Sequence, residues 1–336
     1  MTPIRGKDIH ARTTEEKSDL SKCDAFFESF PVSNLEAYPK KLRRDCGDAY
    51  FHVDDMKRFE LRIGNGIGSA RVWRGAQLMR RQATYQLASF FLPYLRDPPP
   101  GLNFLLDTLR ELGGNEKVKV VFEKRVGDDH AGFFRRGGRH PEIHIVDTFS
   151  PLDTDSTDIR SMDVSTLYHE LGHSLMYHLY GRKLPSYHGH EGHDDGARRH
   201  WESQTNPGAA WSEGFAGAVS NLDFRSSHQL GSSADLPDAW FEKKLPARLS
   251  NEYVIAAVLT DYVKSVVPYK DTKMTTVVLN DASYCRLNKI FAAMRASGLQ
   301  EDFGIFVGDF LRRYPEEGDR LNPILREYGL GELAGD

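Results

Sequence analysis

The segment His169-Glu170-Leu171-Gly172-His173 sets two imidazoles four residues apart with a carboxylate between them. On a helix, positions i and i+4 stand one above the other on a single face. Two imidazoles so placed can chelate one ion at about 2.0–2.1 Å per Zn–N bond. Glu170 is rotated to the edge of that face, where it reaches a water on the ion without being a ligand, which is the position a general base needs. The neighbours are uncharged: Thr166, Leu167 and Tyr168 before the segment, Ser174, Leu175 and Met176 after it. Across Val164–Tyr180, one helix face carries Val164, Leu167, Tyr168, Leu171, Leu175 and His178, and Met176 and Tyr180 fall on the histidine face. Such a helix is apolar nearly all round. Ionisable groups in a buried helix are costly unless paired or metal-bound, so these residues read as a zinc site.

A hydrolytic zinc site has three protein ligands and one open position. A third histidine close behind the pair is excluded, because Met176 and Leu179 stand where that pattern needs Gly and His. A glutamate on a later helix is the other solution, and Trp211-Ser212-Glu213-Gly214-Phe215-Ala216 supplies one. On a helix spanning 209–222, Glu213 shares its face with Ala216, Gly217 and Ser220. These small residues permit a close approach to the histidine helix. The same small residues could instead serve packing alone, with Glu213 exposed.

Together, His169-Glu170-Leu171-Gly172-His173 and the later Glu213-Gly214-Phe215-Ala216 resemble the gluzincin class of zinc metallopeptidases, thermolysin-like in the catalytic half. The resemblance covers about residues 116–223. It implies His169, His173 and Glu213 as zinc ligands, Glu170 as general base, and an edge strand before the metal helix that binds extended peptide. The chain departs from thermolysin-like enzymes in the long stretch 174–212 between His173 and Glu213, and in having no Asn before that glutamate. The strand Glu142–Val146, directly upstream of the metal helix, is the candidate for pairing with a substrate backbone; it serves equally as an ordinary core strand.

The remaining chemistry needs an oxyanion donor and partners for the imidazoles. Tyr253 is the preferred donor, with Tyr262, His228 and His200 as further candidates; Asp223, Asp261 and Glu252 are candidate carboxylate partners. The histidine-rich stretch 187–195 reads as a solvated loop, a lid between the ligand helices, or a second metal site. Cys46 reads as a buried thiol rather than a latency switch.

The elements that must position these groups follow from periodicity. Segments 71–95, 102–112, 164–180, 209–222, 251–267, 281–297 and 301–314 have helical spacing; 116–124 and 142–146 alternate as strands; 127–139 reads as a loop or a hairpin tip and 150–163 as a loop. The fold class is therefore α+β, mainly helical, with a small mixed sheet packed on the metal-binding helix; the resemblance implies a zincin-like arrangement. The chain divides into a flexible N-terminus (1–20), a helical region (21–114) and a catalytic domain (115–336) with a helical C-terminal part. The cleft lies between the strands, 164–180 and 209–222. A net charge of −4 gives no basic field for nucleic acid or an anionic membrane. Three cysteines are no disulfide framework. Residues 1–19 lack the apolar core of a signal peptide, and no run is long enough to span a membrane, so the expected compartment is the cytoplasm, with export by a non-classical route as the alternative. The expected function is zinc-dependent hydrolysis of a protein or peptide substrate. The alternatives are hydrolysis of a small non-peptide amide and a catalytically idle zincin-fold module that binds a partner; the intact Glu170 speaks against the last.

Overall fold

A computed structural model describes residues 59–64, 70–72, 98–113, 118–124, 132–135, 142–147, 165–186, 204–222, 233–264 and 281–334. In chain order the elements are strands β1 (Phe59–Gly64) and β2 (Ala70–Val72), helix α1 (Pro100–Gly113), strands β3 (Val118–Lys124), β4 (Gly132–Arg135) and β5 (Glu142–Asp147), and then helices only. These are α2 (Ser165–Leu179), α3 (Pro207–Ser220), the short α4 (Asp238–Phe241) and α5 (Leu245–Arg248), α6 (Glu252–Val263), α7 (Asp281–Ser297), α8 (Phe303–Arg313) and α9 (Gly318–Glu327). The molecule is thus α+β and mainly helical, as the periodicity predicts.

The sheet is mixed, in the order β2-β1-β3-β5-β4. β1, β3 and β5 run parallel; β2 and β4 are antiparallel additions at the two ends. Val120, Ile143 and Ile145 belong to the apolar core shared with the helices, while Val121 and His144, on the opposite face, are buried as well. Parallel strands covered on both faces lose the simple inside–outside alternation.

Two expectations change here. The helical reading of residues 21–113 fails at Phe59–Gly64 and Ala70–Val72, which are strands. β1 and α1, upstream of residue 114, share the sheet and the core with elements downstream of it. The other correction concerns β5. It is no open edge, because β3 flanks it on one side and β4 on the other. Among the described residues the edge on that side is β4, in the Gly- and Arg-containing stretch that reads as a loop or a hairpin tip.

The helix boundaries follow local chemistry. Asn206 caps α3, its side chain accepting from Ala209 N at 2.7 Å, and Pro207 occupies the first turn, where no N–H is needed. Asn251 caps α6 through Val254 N, and Asp302 caps α8 through Ile305 N. α6 stops at Val263, with Lys264 already extended, short of the expected end at residue 267.

Candidate metal centre

α2 is buried over most of its surface. Leu167, Tyr168, Leu171, Leu175 and Met176 have no solvent exposure. The helix lies against β4 and β5 on one side and against α3 on another. α3 comes close because of one glycine: a Cβ built on Gly172 would lie 2.7 Å from Ala216 Cα and 3.2 Å from Ala216 Cβ. The backbones meet at this crossing, and the crossing carries Glu213 to the histidines.

α3 is also pinned from behind by α6. A Cβ on Gly214 would lie 2.6 Å from Ile255 Cγ2, and one on Gly217 would lie 3.1 Å from Ala256 Cβ. The small residues of α3 therefore serve two partners: Ala216 faces the metal helix, whereas Gly217 faces α6, so the single small face expected beside Glu213 is in fact divided. At the start of α3, Trp211 Nε1–H donates to Tyr180 Oη at 3.1 Å, and Tyr180 O–H donates to Gln300 Oε1 at 2.6 Å. This buried chain ties α3 to the end of α2 and to the segment before α8.

Three candidate ligand atoms converge. His169 Nε2 lies 2.9 Å from Glu213 Oε2, His173 Nε2 lies 3.2 Å from the same oxygen, and the two Nε2 atoms are 3.1 Å apart. A tetrahedral ion with bonds of about 2.05 Å has ligand–ligand edges of about 3.3 Å. The three observed edges are close to that value, so the donor set fits a zinc ion. His173 is nearly buried, with a side chain 7% exposed, whereas His169 keeps 30% and Glu213 21%. The site is thus open on the His169–Glu213 side, where a fourth position would lie. Among the described residues this is the one cluster of three or more such side chains able to hold a metal.

Glu170 is buried beside the cluster, and its Oε2 has no hydrogen-bond partner. Burial pushes its carboxyl up to about 8; neighbouring His169 opposes the shift and Glu213 adds to it. Glu213 itself is held well below the ordinary carboxylate range. Burial alone would raise it, but the two imidazoles outweigh that penalty. Glu252, at the start of α6, is raised to about 7 by burial and by Glu213, with His169 and the Tyr253 hydroxyl opposing. Three carboxylates thus act on one another around two imidazoles, and among the described residues no lysine or arginine is a cause of their shifts. A divalent cation is a charge this arrangement could hold.

Of the other predicted residues, Tyr253 hydrogen-bonds Glu252 and feels the charge of Glu213. Burial and these two carboxylates raise it to about 12, so it stays a hydroxyl donor. Tyr262 is committed elsewhere, donating to Glu317 Oε2 at 2.8 Å. Asp261 is likewise engaged, accepting from Tyr328 O–H at 2.6 Å. Glu252, by contrast, does stand at the cluster. His200, His228, Asp223, the 187–195 stretch and Cys46 lie outside the described residues.

Two contributors escaped the sequence reading. Ser212 Oγ lies 3.2 Å from His173 Nδ1. Gly132 of β4 sits over Glu170: a Cβ there would be 3.1 Å from Glu170 Oε1 and 2.8 Å from Thr166 Cγ2. The serine gives no sequence signal beyond its place next to Glu213. The glycine would have been legible only had the 127–139 stretch been read as containing a strand.

Residues 146–301 match the family described as the mycolysin C-terminal domain. That span starts in β5 and includes α2, α3, α6 and α7, and with them His169, Glu170, His173, Glu213 and Tyr253. No curated protein and no solved structure matches the chain. The family match relates the chain to metallopeptidases at the coarse level of the gluzincin class. It also corrects the expected compartment: mycolysin-type peptidases are secreted, extracellular enzymes, which overturns the cytoplasmic expectation. Cys285 in α7 is disulfide-bonded. Among the described residues no helix is long and apolar enough to cross a membrane.

Proposed function

We propose that the protein is a zinc-dependent metallopeptidase with a zincin-like catalytic half, whose ligands are His169, His173 and Glu213 and whose general base is Glu170. The observation that carries this reading is the convergence of the two Nε2 atoms and Glu213 Oε2 at 2.9–3.2 Å, beside a buried carboxylate. A bound zinc would lower the pKa of water and polarise the scissile carbonyl. Glu170 takes the proton of the attacking water and delivers it to the leaving nitrogen. Its raised affinity for a proton suits both halves of that transfer. Tyr253, kept protonated beside Glu252, is the donor toward the developing oxyanion.

The edge strand β4 favours a peptide over a small amide. Its outer side carries no strand among the described residues, and Gly132 places it directly above Glu170. An extended substrate pairing there would bring its backbone over the base.

The test compares two variants of the full chain. Glu170→Gln keeps near-stoichiometric zinc by elemental analysis and loses at least about a hundredfold in hydrolysis of a mixed fluorogenic peptide library. Glu213→Ala loses most of its zinc. Wild-type protein that takes up no zinc, or a Glu170→Gln variant that still cleaves peptides, overturns the proposal.

A further inference from the structure

His173 is gripped from two sides by one helix. Its Nε2 faces Glu213 Oε2 at 3.2 Å, and its Nδ1 faces Ser212 Oγ at 3.2 Å. Ser212 is fully buried and His173 nearly so. Consecutive helix residues project about 100° apart, so the long glutamate and the short serine reach opposite edges of the same ring.

The neutral imidazole has one proton, and a ligand nitrogen must present its lone pair. If Nε2 is the ligand atom, the proton sits on Nδ1. At a buried position that N–H needs an acceptor, since an unsatisfied buried donor costs about 1–3 kcal/mol. Ser212 Oγ stands at hydrogen-bond distance and can accept it. A carboxylate is the expected partner for a metal-bound histidine, but a hydroxyl does the same orienting work without adding a further negative charge to a cluster that already holds Glu170, Glu213 and Glu252.

Resting on the metal-site reading above, we infer that Ser212 is a positioning residue of the metal centre: its hydroxyl accepts His173 Nδ1–H and so fixes both the ring orientation and the tautomer that leaves Nε2 free to bind a metal. α3 then carries two functions in adjacent residues, a ligand at 213 and the orienting acceptor at 212.

The test uses the full chain as wild type, Ser212→Ala and Ser212→Thr. Alanine removes only the oxygen, and threonine restores the hydroxyl. Zinc affinity is measured by competition with a chromophoric chelator, and the His173 Nδ1–H hydrogen bond by its ¹H and ¹⁵N shifts and its exchange with solvent in the zinc-loaded protein. Ser212→Ala is expected to bind zinc about 10–100-fold more weakly, and its His173 Nδ1–H signal shifts and exchanges faster. Ser212→Thr keeps the wild-type Nδ1–H signal and most of the affinity. Unchanged affinity in Ser212→Ala overturns the inference, and so does an affinity loss with the Nδ1–H signal unmoved, which packing alone would produce. Wild-type protein that binds no zinc refutes the metal site itself, a result distinct from either.

Discussion

Gly172→Ala tests whether the crossing of α2 and α3 sets the metal geometry. The added methyl carbon would sit 2.7 Å from Ala216 Cα, 3.2 Å from Ala216 Cβ and 3.3 Å from Val219 Cβ. Carbon atoms in contact rest about 3.5–4.0 Å apart, so the helices must separate by about 1 Å. Two effects on stability oppose each other. Alanine gains about 1 kcal/mol over glycine in a helix interior, and overpacking costs about 1–3 kcal/mol. The net change in stability is a loss of about 0–2 kcal/mol. The effect on zinc is larger, because metal–ligand distances tolerate only about ±0.2 Å. A carboxylate displaced by about 1 Å no longer closes the site, and zinc affinity should fall at least about a hundredfold. Gly308→Ala is the internal control. Gly308 lies in α8 with nothing within 4 Å of its would-be Cβ, so the same substitution should add about 1 kcal/mol and leave zinc binding alone. Both variants are read by thermal unfolding without metal and by zinc competition. A Gly172→Ala protein stabilised like Gly308→Ala, with wild-type zinc affinity, would refute the reasoning.

Two further perturbations probe the base and the edge strand. In metal-free protein the folded form holds the Glu170 proton up to about pH 8, while the unfolded chain releases it near 4.5. Folding stability contributed by this group therefore falls as pH rises through that window and levels above it. Glu170→Gln cannot ionise, so its advantage over wild type should widen from pH 5 to pH 8 in denaturant unfolding with chelator present; a pH-independent difference contradicts the assignment. Gly132→Ala places a methyl against Thr166, His144 O and Glu170 and must lift β4 from the base. Zinc content should hold while peptide turnover falls by up to about a hundredfold, the scale of a 1 Å misplacement; unchanged turnover would detach β4 from the chemistry.

The parts of the site visible in sequence are those that carry their own local signal. α2 shows itself through a polar triad in an otherwise apolar helix, and Glu213 through the small residues around it. What those small residues touch was not legible. Ala216 meets Gly172, but Gly214 and Gly217 meet α6, and helical periodicity alone does not say which side a second helix occupies. β4 was missed because Gly132-Phe133-Phe134-Arg135 is short and starts with glycine; its strand character comes from pairing with β5, a non-local fact. β1 was absorbed into a helical region although Phe59, Leu61 and Ile63 alternate. The compartment was inferred from a missing signal, and absence of a pattern proved weaker than a family relation.

The double packing of α3 fixes where its carboxylate stands. Glu213 is placed by the close crossings at Ala216, Gly214 and Gly217 and by the Trp211–Tyr180–Gln300 chain. That placement has a consequence for charge. Glu170 and Glu252 are driven toward their neutral forms by burial and by Glu213. A divalent cation held by the proposed ligands would relieve this repulsion. Zinc should therefore raise stability by mass action.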